Sequence, residues 1–85
     1  MKSYTIHVEL WDATADDNVR LVAAMAARGF SHLSNQASCG VDFIYQDRLS
    51  LESVLSRVRP AVLETGKRFF ISVNELGGLG MEMHS

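Results

Sequence analysis

The chain has a single cysteine, Cys39, a single proline, Pro60, and no excess of basic residues. A lone cysteine closes no intrachain disulfide, and Cys39 has no partner at metal-ligand spacing, so a reducing compartment suits it. The formal charge is -2 at pH 7. Non-specific binding to nucleic acid relies on a basic surface that releases counterions from phosphates, so the whole-chain charge argues against that class. Two basic clusters remain, Arg57/Arg59 and Lys67/Arg68. No stretch approaches the ~20 apolar residues of a membrane span, and Met-Lys-Ser-Tyr lacks the apolar run of a signal peptide. A soluble, cytoplasmic protein with no membrane contact is expected. There is no phosphate-binding glycine loop, no paired-cysteine zinc pattern and no serine elbow, so neither a cofactor nor a metal is expected.

What is present is an ordinary globular balance, 47% hydrophobic and 21% charged. At 85 residues folding removes only roughly 60–65% of the unfolded surface from water, which makes association of chains, including a homodimer, a live expectation. The organising stretch is Tyr4–Trp11. Strict alternation puts Tyr4, Ile6, Val8 and Leu10 on one face and Thr5, His7, Glu9 and Trp11 on the other, the pattern of a strand covered on one side only.

Thr14 followed by Asp17 reads as a capping box, so a helix starts near Ala15 and ends at Gly29. Leu21, Val22 and Met25 are its sheet-facing residues. Phe30–Ser34 suits an edge strand, Asn35–Gly40 a turn or short loop, and Val41–Gln46 a strand in which Val41, Phe43 and Tyr45 share a face. Ser50 caps a second helix with an apolar stripe through Val54, Leu55, Val58 and Val62. Pro60 predicts a kink or break near Arg59. Gly66 ends that helix and Lys67–Glu75 is the last strand. The glycine- and methionine-rich end, residues 77–85, reads as a flexible tail beyond a single domain of residues 1–76.

Strand, helix, strand, strand, helix, strand is the split βαβ order, and the right-handed crossover rule closes it as an α+β, ferredoxin-like βαββαβ fold. Its four-stranded antiparallel sheet carries both helices on one face. The other face then carries Thr5, His7 and Glu9 centrally, Ile44 beside them, and Phe70, Ser72 and Asn74 on an edge strand. Three readings of that face stay open: a homodimer surface, because Phe70, Ile44 and Trp11 would otherwise form an exposed apolar patch; a platform for single-stranded RNA stacking on the aromatics; or a solvated sheet face.

Candidate chemistry is sparse. RNA cleavage through the 2'-hydroxyl needs a base, an acid and a cation at the phosphate, which His7 or His32 with Glu9 and one of Arg28, Arg48 or Lys67 are able to supply; Phe70, Asn74, Lys67 and Arg68 are the residues for holding RNA. Glu9 with Asp42 and Asp12 is only a loose carboxylate set for magnesium. His7 and Glu9, two apart on one strand, equally suit a hydrogen-bonded surface pair.

The order Tyr4-Thr5-Ile6-His7-Val8-Glu9-Leu10, Asp12-Ala13-Thr14, Asp16-Asp17, Leu21, Ala24-Met25 and Gly29-Phe30-Ser31 resembles the GhoS endoribonuclease family, as does Thr65-Gly66-Lys67 leading into Phe70-Ile71-Ser72-Val73. The chain differs from that pattern in a shorter hairpin between Ser31 and Tyr45, in His32 where relatives often carry an arginine, and in Pro60. The family's founding member is the antitoxin of a type V toxin-antitoxin pair, of ferredoxin-like fold, which cleaves the toxin's messenger RNA. The resemblance therefore implies a metal-independent, single-strand-selective endoribonuclease acting as an antitoxin. The alternative is a non-catalytic protein-binding module, of the kind a phage encodes to engage a host defence or toxin component.

Overall fold

The computed structural model describes residues 1–33 and 40–85. Cys39 and the loop expected at Asn35–Gly40, apart from Gly40 itself, lie outside the described residues, as does Ser34. The elements are β1 (Lys2–Leu10), α1 (Ala15–Ala27), β2 (Ser31–Leu33), β3 (Val41–Asp47), α2 (Leu51–Leu63), β4 (Phe69–Glu75) and β5 (Gly80–His84). They form an α+β fold with one five-stranded antiparallel sheet in the order β2-β3-β1-β4-β5. The first four strands keep the ferredoxin-like order. The fifth is an addition to it.

The alternation of β1 decides the layering. Tyr4, Ile6 and Val8 are buried against Leu21 and Met25 of α1 and Val54, Val58 and Val62 of α2, together with Phe43 from β3 and Ile71 and Val73 from β4. Both helices therefore cover one face, and the odd-numbered residues of β1 look out from the other. Register fixes the neighbours: His7 stands opposite Asp42 on β3 and Ser72 on β4, and Thr5 opposite Ile44 and Asn74.

α1 begins as its capping box requires. The Asp17 amide donates to Thr14 Oγ1 at 3.3 Å and the Thr14 amide donates to Asp17 Oδ2 at 2.9 Å. That backbone bond chiefly holds the Asp17 carboxyl below its usual range, with Lys67 adding a smaller effect. Gly29 follows α1 at φ 89, a left-handed conformation glycine adopts without a Cβ penalty.

Two expectations are overturned. Of the kink or break expected near Arg59, the break does not occur, since α2 runs through Pro60. The bond it removes would have gone to the Ser56 carbonyl, on the solvent side of the helix, while Val54, Leu55, Val58, Ala61 and Val62 stay anchored on the sheet. The sheet has five strands rather than four because the expected tail pairs with β4. Gly77 turns at φ 78, the Glu75 amide donates to the Leu79 carbonyl at 2.9 Å, and Met83 opposite Ile71 packs on the core. β4 is consequently interior, so Phe70, Ser72 and Asn74 do not lie on an edge.

Thr14→Ala should cost about 1 kcal/mol, a fall of roughly 4–8 °C in Tm by thermal melting. The stabilisation from Asp17 is present above the ordinary carboxylate range and disappears as pH falls through its lowered pKa; Thr14→Ala keeps the backbone amide that chiefly lowers it, so the acid limb should flatten in Asp17→Asn and stay close to the parent's in Thr14→Ala. Pro60→Ala should raise Tm, since an exposed helix-interior proline is about 3 kcal/mol less favourable than alanine before the unfolded chain's lost freedom is subtracted.

Candidate functional site

The open face of the sheet is polar at its centre. His7 Nδ1 lies 2.5 Å from Asp42 Oδ1, and His7 Nε2 lies 3.5 Å from Glu9 Oε2. Side-chain exposures of 30% for His7, 23% for Asp42 and 34% for Glu9 leave all three reachable from solvent. The local reason is register: Asp42 is the cross-strand partner of His7, and opposed Cβ atoms about 5 Å apart allow a short side-chain bond. An ionised carboxylate only accepts, so the Asp42 contact makes Nδ1 the protonated nitrogen of a neutral His7 and turns Nε2 toward Glu9.

The ring leans toward β3. A Cβ built on Gly40 would stand 2.5 Å from His7 Cε1 and 2.9 Å from the Val8 carbonyl oxygen, so the glycine makes room for the imidazole. That lean carries the ring away from Ser72, its partner on β4. Ser72 Oγ instead accepts from Asn74 Nδ2 at 3.1 Å. His7 and Ser72 therefore do not form a nucleophile-base pair. Asp42 and Glu9 flank opposite nitrogens of one ring, and among the described residues no group of three or more His, Cys, Asp or Glu gathers to hold a metal ion.

Around this centre, β4 contributes Phe70 and Asn74, and β5 contributes Glu82 and His84, all by register on the open side. The Phe70 and His84 rings meet at 4.9 Å between centroids. Ile44 and Trp11 are exposed at 37% and 48%. Strand positions on this face hold the carboxylates Glu9, Asp42 and Glu82 and, among the described residues, no lysine or arginine.

The residues proposed for catalysis are divided by the sheet. His7 and Glu9 are on the open face, whereas His32 stands opposite Phe43 in the β2–β3 ladder and shares its helix side, with ring centroids 5.8 Å apart. There it lines a groove with Val19, Val22 and Val41. Arg28 follows α1, donating to the Ala24 carbonyl at 2.9 Å and pairing with Glu64 at 2.8 Å, so it ties α1 to the end of α2. Lys67 pairs with Asp17 at 3.6 Å at the start of α1. Arg68 is exposed beside β4, and its carbonyl accepts from the Trp11 amide. Asp42 is the site neighbour that sequence reasoning did not join to His7. Alternation had already placed both on the same face.

A second polar cluster lies on the helix side. Tyr45 stacks on Phe30 at 4.2 Å and donates to Asp47 at 2.5 Å, with Arg57 over the Tyr45 ring at 5.7 Å. The Tyr45 hydroxyl holds the Asp47 carboxyl below its usual range, and Asp47 in turn raises Tyr45. These groups fasten β3 to α2.

No helix among the described residues is long and apolar enough to cross a membrane. Comparison of the chain with family models, with curated proteins and with solved structures finds no match.

Asp42→Ala should move neutral His7 from the Nδ1-protonated tautomer toward the Nε2-protonated form common in water, read from the ring nitrogen shifts by NMR. Glu9→Ala should leave the tautomer unchanged.

Proposed function

We propose that this chain is a GhoS-like small protein that works through the open face of its sheet, and that the work is protein binding rather than RNA cleavage. The observation that carries this reading is the pairing of His7 with Asp42, and its approach to Glu9, on a face whose strand positions, among the described residues, bear three carboxylates and no lysine or arginine. Cleavage through the 2'-hydroxyl needs a base and an acid on opposite sides of the phosphorus, with a cation for the charge that develops. His7 and Glu9, 3.5 Å apart, leave no room for a phosphate between them. Arg28 and His32 lie across the sheet. Carboxylates around exposed Ile44 and Trp11 suit instead a partner presenting a basic rim and an apolar centre. A host toxin or defence component met by a phage-encoded binder is the setting that the acidic charge and short chain suit.

The endoribonuclease-antitoxin reading keeps one specific support. A carboxylate-oriented imidazole, part-exposed on the face where RNA would stack, is one half of the arrangement of a general base.

The two separate in one assay. Mixed-sequence single-stranded RNA is incubated with the protein, with and without chelator, beside identically prepared His7→Ala and Arg28→Ala variants. Equal, background cleavage in every preparation is expected. Chelator-resistant cleavage that disappears in a folded His7→Ala protein would establish the nuclease instead. For binding, Ile44→Asp should abolish retention of a host partner in affinity capture while the circular dichroism spectrum stays that of the parent.

A further inference from the structure

β5 is the outermost strand on its side of the sheet. Its ladder sets Phe70 opposite His84, Ile71 opposite Met83 and Ser72 opposite Glu82. The Ser85 amide donates to the Phe69 carbonyl at 3.0 Å and the Glu75 amide to the Leu79 carbonyl at 2.9 Å, so the odd-numbered residues turn their backbone groups toward β4. Backbone groups alternate sides along a strand, so Gly80, Glu82 and His84 present theirs outward. Such a row is a template for another strand.

Charge selects which strand fits. If two copies pair β5 with β5 about a two-fold axis through Glu82, glutamate faces glutamate; through His84, histidine faces histidine. Through Met83, Glu82 of each copy faces His84 of the other. Opposite charges directly across an antiparallel ladder stabilise it, and like charges oppose it. An imidazole, neutral or protonated, donates to a carboxylate in this register, and the contact with Phe70 already holds His84 on the open side. On the helix side the same axis brings Met83 against Met83, extending the apolar face that Met83 shares with the core.

We propose that β5 is a self-pairing edge, at which a second copy of this chain docks antiparallel about Met83, joined by four main-chain hydrogen bonds and two Glu82–His84 pairs. The two sheets become one continuous sheet whose open faces lie on the same side. The edge borders the open face and shares Glu82 and His84 with it, but sedimentation reads self-association with no partner present, so its failure is distinguishable from failure of the function proposed above.

Sedimentation of the full chain over a range of concentration should give a mass rising from 9.4 kDa toward twice that value. Glu82→Pro removes an outward amide without touching the β4 ladder and should leave a folded monomer. Glu82→Lys and His84→Glu should each weaken the dimer roughly tenfold in Kd, and the double variant, with lysine opposite glutamate, should restore it. A chain monomeric at every concentration overturns the proposal. So does a double variant no tighter than the singles, or a dimer that survives Glu82→Pro and is broken by Ile44→Asp. Circular dichroism confirms that each variant is folded.

Discussion

Everything in this fold depends on β1 having two different faces while being hydrogen-bonded on both edges. Tyr4, Ile6 and Val8 are fully buried or nearly so under the helices, and β3 and β4 both take their register from the same strand. Burying a side chain such as Ile6 or Val8 is worth roughly 1.5–3 kcal/mol. A slip of one residue would send those side chains to solvent and bring Thr5, His7 and Glu9 under α1 and α2. The hydrophobic face therefore fixes the polar one. His7 meets Asp42, and no other residue of β3, because Ile6 must meet Phe43 one step along.

The same constraint separates two kinds of polar group. On the helix side, Tyr45 with Asp47, Arg28 with Glu64 and Lys67 with Asp17 are joints between elements, each linking residues on different parts of the chain or fastening a turn. They engage Arg28 and Lys67, two of the cations that the sequence offered for a nucleic-acid surface. On the open side, the polar groups hold one another rather than the architecture. Removing His7 would leave the core untouched, whereas the helix-side pairs sit where α1, α2 and β3 join. A surface with that freedom is where binding is expected.

Local pattern made most of the fold legible. Alternation in Tyr4–Trp11, the Thr14–Asp17 cap and the stripe of α2 are signals carried by neighbouring residues, and each produced the element that forms. β5 was readable too. Gly77-Gly78 is a hairpin signal, and Met81 and Met83 alternate with Glu82 and His84. The glycine content outweighed that alternation because so short a strand has little stability until Ile71 supplies a surface for Met83. Pro60 shows the reverse case, a strong local rule overridden by anchoring on the sheet. The site was less legible because its parts meet through register. Alternation placed His7, Glu9 and Asp42 on one face, but which side His32 takes depends on the length of the β2–β3 connection. The partner of Arg28 lies 36 residues away.

The proposed preference for binding over RNA cleavage rests on geometry, an imidazole set between two carboxylates. Each ring nitrogen has a carboxylate neighbour on the same protein surface, so a proton leaving His7 finds Glu9 or Asp42 before it finds a leaving oxygen. Catalytic sites avoid this by directing one nitrogen to an orienting carboxylate and reserving the other for substrate. Here the second nitrogen is shadowed by Glu9, and the developing negative charge on a phosphate would meet carboxylates instead of a guanidinium. The same features suit a cationic protein partner, whose lysine or arginine would approach the exposed carboxylate of Glu9 from solvent. A negatively charged substrate and a positively charged partner make opposite demands on one face, and carboxylates at Glu9, Asp42 and Glu82 are the ground for proposing the second.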